Sequence, residues 1–62
     1  MKMLIAFKAY SGNTMYIASQ KIEAFVYNEQ EKVTYVWTTG GEDNQYKFPG
    51  NYMDEIINAF ES

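Results

Sequence analysis

Lys32-Val33-Thr34-Tyr35-Val36-Trp37-Thr38-Thr39 is the stretch on which the fold turns. From Val33 onward every residue is β-branched or aromatic, the types that suit a pleated, half-buried surface. Strand alternation puts Val33, Tyr35 and Trp37 on one face and Thr34, Val36 and Thr38 on the other. Asn28-Glu29-Gln30-Glu31 precedes the stretch as a polar turn, and Gly40-Gly41-Glu42-Asp43-Asn44 follows it as a turn or short loop. Residues 45–48 then make a short strand, which Pro49-Gly50 breaks.

Upstream, residues 3–10 alternate, with Met3, Ile5, Phe7 and Ala9 on one side and Leu4, Ala6, Lys8 and Tyr10 on the other. That is a strand signal, and Ser11-Gly12-Asn13 ends it as a turn cluster. Residues 14–26 admit two readings. As a helix, Met15, Ala18, Ile22, Phe25 and Val26 fall near one face. As strands, residues 14–17 pair back on the first strand, residues 18–21 make a corner, and residues 22–27 start a new strand. The β-branched and aromatic residues cluster in two short blocks around a polar break, which favours strands.

The final segment reads as a helix. Asn51 is a good N-cap, Asp54 and Glu55 put negative charge in the first turn, and Met53, Ile56, Ile57 and Phe60 recur at helical spacing. Those four are the expected core face of the helix. The fold class expected is α+β: an antiparallel sheet of about five short strands, with one C-terminal amphipathic helix packed on one face, in a single domain of 62 residues.

Composition narrows the function. The chain has no Cys, hence no disulfide or thiolate metal site, and no His, hence neither the commonest metal ligand nor the commonest general base. Five Lys against eight carboxylates give a net charge of −3, which argues against a nucleic-acid-binding surface. Glu42-Asp43-Asn44 lacks the spacing of a calcium loop, so no metal or cofactor is expected. No apolar run approaches the ~20 residues of a membrane span and no signal peptide is visible, so the expectation is a cytoplasmic protein with no membrane partner.

Two stretches carry resemblances. Tyr10-Ser11-Gly12-Asn13-Thr14, with Ala18 four residues after Thr14, looks like the phosphate loop of flavodoxins, in which hydroxyls and N–H groups at a helix start cradle the FMN phosphate. Val36-Trp37-Thr38-Thr39-Gly40-Gly41 is placed like a flavin-contacting loop. The resemblance implies phosphate or FMN binding by Ser11, Gly12, Asn13 and Thr14. At ~30 residues per βα unit only two units fit in this chain, so an ordinary hairpin turn is the preferred reading of that loop. Over nearly the whole chain, Gly12, Tyr16-Ile17, Ile22-Glu23, residues 33–36, Thr38-Thr39-Gly40, Tyr46 and an Ile-Ile helix resemble the small FlbD-like flagellar proteins. Those run strand, Gly turn, strand, corner, strand, strand ending in Thr-Gly, strand, helix. That family offers no catalytic residues to carry over.

The aromatic residues lead to the functional expectation. Six Tyr, four Phe and Trp37 are more than one helix can cover on a sheet ~19 Å wide. Phe25, Tyr27, Tyr35 and Trp37 are therefore interface candidates, the competing reading being that they form the core. The function expected is a small acidic, non-enzymatic protein-interaction module that self-associates. It fits the type of the stoichiometric inhibitors carried by phages or mobile elements against a host protein, and its acidic surface could imitate nucleic-acid phosphates. The alternative is a minimal flavodoxin-like FMN or phosphate binder.

Overall fold

The β-branched stretch becomes the centre of a three-stranded antiparallel sheet. In a computed structural model describing residues 3–40 and 44–61, strand β4 (Val33–Thr38) lies between β3 (Ile22–Asn28) and β5 (Gln45–Pro49). Gly41, Glu42 and Asp43, and with them part of the Gly40–Asn44 turn and of the flavin-like stretch, lie outside the described residues. A second antiparallel sheet consists of β1 (Leu4–Lys8) and β2 (Thr14–Ala18), and helix α1 (Met53–Glu61) closes the order. The α+β class and the five strands are as expected. They divide into two sheets because a 3₁₀ turn at Ser19–Lys21 redirects the chain between β2 and β3. Main-chain bonds pin that corner to both sheets: the Ser19 N–H donates to the Met3 carbonyl at 2.8 Å, and the Thr39 N–H donates to the Lys21 carbonyl at 2.8 Å. Residues 14–26 are thus strands around a corner.

Turn geometry sets the register of β3 on β4. Residues 29–32 form a four-residue loop in which the Glu31 N–H donates to Asn28 Oδ1 at 3.0 Å and the Lys32 N–H to the Asn28 carbonyl at 2.8 Å. Lys32 takes φ 59°, a left-handed conformation uncommon outside Gly. Asn28 then pairs with Val33, Val26 with Tyr35, and Ala24 with Trp37. A bulge at Glu23 follows, so Ile22 pairs with Thr38. Simple alternation sets Ile22 against Phe25 and Tyr27. The extra residue restores Ile22 to their face, where it is buried.

Side chains from both sheets and the helix meet in one core: Ile5, Phe7, Ile17, Ile22, Val36, Phe48, Ile56 and Ala59. Phe7 stacks on Phe48 with centroids 4.4 Å apart, and Tyr52 sets its edge against Phe7 at 5.0 Å. Thr34 is fully buried and satisfied: its Oγ1 donates to the Gly50 carbonyl at 2.7 Å and accepts the Tyr52 N–H at 3.1 Å. Gly50, at φ +104°, makes the reversal from β5 to the helix. Asn51 caps α1, its Oδ1 accepting the Met53 N–H at 3.0 Å.

The helix is turned about its axis relative to the expected stripe. Ile56 and Ala59 are buried and Met53 is half-buried, whereas Ile57 and Phe60 are 42% and 47% exposed. Tyr52 fixes the rotation, since its ring packs on Phe7 and its hydroxyl accepts the Lys8 N–H at 2.9 Å. Ile56→Ala should cost about 2–5 kcal/mol by urea unfolding, and half-exposed Phe60→Ala about 1–2 kcal/mol. Thr34→Val keeps the shape but strips two partners of their bond, and should cost about 1–3 kcal/mol in the same measurement.

Candidate interaction surface

Helix α1 and the β1–β2 hairpin cover one face of the three-stranded sheet; among the described residues the other face is built mainly from its own strands, with Val33 buried at its loop end. On that outer face the register sets Ala24 beside Trp37 and Gln45, and Val26 beside Tyr35 and Lys47. The rings of Tyr35 and Trp37 stack at 6.1 Å, and Lys47 Nζ lies 5.7 Å from the Tyr35 centroid, a cation–π distance. The Tyr35 hydroxyl donates to Glu31 Oε1 at 2.6 Å, so the loop that ends β3 also holds the ring in place. Val26 is 46% exposed; Tyr35 and Trp37 are half-buried.

The four interface candidates do not form one patch on one face. Tyr35 and Trp37 stand on the outer face, whereas Phe25 pairs with Val36 and Tyr27 with Thr34 on the inner face. The register set by the 29–32 loop, with Asn28 opposite Val33, separates them. Phe25 packs against the core, half-buried, and meets half-exposed Phe60 with centroids 5.7 Å apart. What joins the two pairs is β3, an edge strand with one set on each side. A groove of about 1040 Å³ takes in Val26, Tyr27, Tyr35, Trp37, Asn51 and Met53, and so draws on both faces around β3. Val26, Glu31 and Lys47 were not among the interface candidates read from the sequence, and Phe60 was expected in the core. The first was within reach, because a four-residue loop closing on Asn28 and Val33 puts Val26 opposite Tyr35.

Ser11, Gly12 and Asn13 form the loop of the β1–β2 hairpin, with the Ala9 N–H donating to the Asn13 carbonyl at 2.8 Å and the Gly12 N–H to the Ala9 carbonyl at 2.9 Å. Thr14 opens strand β2, so the chain leaves this loop extended rather than as a helix. All four residues are exposed. Among the described residues no three carboxylates gather in an arrangement able to hold a metal, and no helix is long and apolar enough to cross a membrane. Comparisons with protein-family models, with curated proteins and with solved structures give no match.

The Tyr35–Glu31 bond has a titration signature. The hydrogen bond to Glu31 first, then desolvation and the carboxylate's charge, raise the Tyr35 phenol above its ordinary value of 10.0, with Lys47 opposing. A raised native value means that this contribution to stability is present below pH 10 and is lost as pH rises through the higher native value. Glu31→Gln should lower the Tyr35 midpoint, read from tyrosinate absorbance against a Tyr35→Phe control. An unchanged midpoint would show that the contact is not made in solution.

Proposed function

We propose that this chain is a small acidic, non-enzymatic protein-interaction module of the cytoplasm, and that it self-associates through the aromatic surface around β3 and β4. The observation that carries the reading is the uncovered outer face, where Trp37, Tyr35 and Val26 sit opposite the face that the helix and hairpin cover. The Tyr35 ring is held by Glu31 and Lys47 and stacks on Trp37, so less rotamer entropy is lost when the pair is buried. Aromatic side chains of this kind supply most of the energy in interfaces. The small core gives a second motive, because a domain of this length hides only ~60% of its unfolded surface and gains from burying more by association.

Light scattering from low to high micromolar protein should show a mass above the 7.2 kDa of one chain. Trp37→Ala should retain the far-ultraviolet circular dichroism of the fold, since Trp37 is outside the core, and should reduce the mass to that of the monomer. A parent protein that stays monomeric throughout the range would overturn self-association. Unfolding of the variant at all concentrations would show Trp37 to be structural.

A further inference from the structure

We infer that two copies join edge to edge through β3, in antiparallel register centred on Phe25, to make one continuous six-stranded sheet. This rests on the self-association reading above and places the seam at the β3 margin of the aromatic surface, with Tyr35 and Trp37 one strand away flanking it. An edge strand presents unpaired N–H and C=O groups, and proteins guard such edges with short strands, Lys, Pro or a cover. The edges here are unequal. The edge of β1 is partly guarded: its Lys8 N–H is bonded to the Tyr52 hydroxyl, and residues 3–6 face Glu55, Asn58 and Ala59 of the helix across a groove. β5 carries Lys47 and Pro49. β2 has five residues, of which Thr14, Met15 and Tyr16 are exposed, with Met15 and Tyr16 lining a groove shared with Thr38 and Tyr46. β3 is the longest strand, with seven residues, and no strand pairs with it on the side away from β4 among the described residues.

Charge and symmetry select the occupant. In a chain of net charge −3 a second copy is repelled least where charge is absent, and residues 24–28 of β3 contain none. Its one carboxylate, Glu23, sits in the bulge at the start of the strand. A two-fold axis normal to the sheet keeps each face on its own side, so paired residues must share a face. Centred on Phe25, it sets Ala24 opposite Val26 of the second copy on the outer face, flanked by Trp37 and Tyr35. On the inner face Phe25 meets its own counterpart, with Phe60 packed beside each, and Tyr27 comes near the second copy's Glu23. Centred on Val26 instead, the axis would move Tyr27 opposite Phe25 and carry Glu23 beyond the strand pairing toward Glu29. The first register pairs apolar with apolar and keeps like charges apart.

Ala24 and Val26 are both exposed, so charges placed there test the pairing without opening the core. Ala24→Lys with Val26→Lys puts Lys opposite Lys twice in the inferred register. Ala24→Lys with Val26→Glu puts Lys opposite Glu twice. Sedimentation equilibrium should show the dissociation constant of the Lys/Lys variant raised about tenfold or more, and that of the Lys/Glu variant within about threefold of the parent at low salt. Circular dichroism should be the same for all three. Equal affinities for both variants and the parent would overturn pairing through β3 while leaving self-association standing. Dissociation of the Lys/Glu variant alongside the Lys/Lys variant would overturn the Phe25 register. A monomeric parent would overturn the self-association reading itself.

Discussion

Three rings hold the parts of this protein together. Phe7 comes from the hairpin, Phe48 from the last strand of the second sheet, and Tyr52 from the entry to the helix. Their mutual contacts are the point at which all three units touch, and Phe7 and Phe48 are almost wholly buried. The two-stranded hairpin is too small to be stable alone, and needs an apolar surface to lie against. The Tyr52 hydroxyl adds a polar tie by accepting the Lys8 N–H, so the same residue that completes the ring cluster also fixes the hairpin's edge. Thr34 supplies the matching tie inside the second sheet, bonding both Gly50 and Tyr52.

Most of the architecture was legible because each strand announces itself locally. Residues 33–38 are continuous β-formers, residues 4–8 alternate, and Gly, Asn and Pro punctuate the joins. The helix was legible from its cap, and Asn51 does accept the Met53 N–H. The division into two sheets was not, because it depends on the corner at Ser19–Lys21 and its bonds to Met3 and Thr39, which are contacts across the chain. The rotation of the helix escaped for a related reason. Periodicity weighed Ile57 and Phe60 as large apolar residues, while Ala59 is buried because a small side chain allows the helix to approach the sheet closely.

The candidate surface was half legible. Tyr35 and Trp37 share a face by simple alternation, and they do stand together. Phe25 and Tyr27 were grouped with them by residue type, and the register sends both to the opposite face. A bulge at Glu23 has no period to reveal it, and it decides that Ile22 joins the inner side. The grouping nevertheless had a physical basis, because β3 is an edge and both its faces border the same margin.

A small domain with one helix divides its sheet into a covered face and a bare one, and the chemistry follows that division. The covered face carries Val36, Phe48 and a Thr34 whose hydroxyl both donates and accepts, and among the described residues no buried side-chain polar atom lacks a partner. On the bare face Tyr35 has two polar neighbours, Glu31 at its hydroxyl and Lys47 over its ring. Those neighbours also restrict the Tyr35 ring, which would lower the entropy lost if a partner buries it. At the margin between the faces lies β3, which among the described residues pairs with no strand on the side away from β4. In the inferred dimer, main-chain pairing would supply affinity there without regard to side chains, while the apolar residues 24–26 and the placement of Glu23 would set the register. Stability and association are then linked quantities, because whatever binds the native edge also holds the fold that presents it.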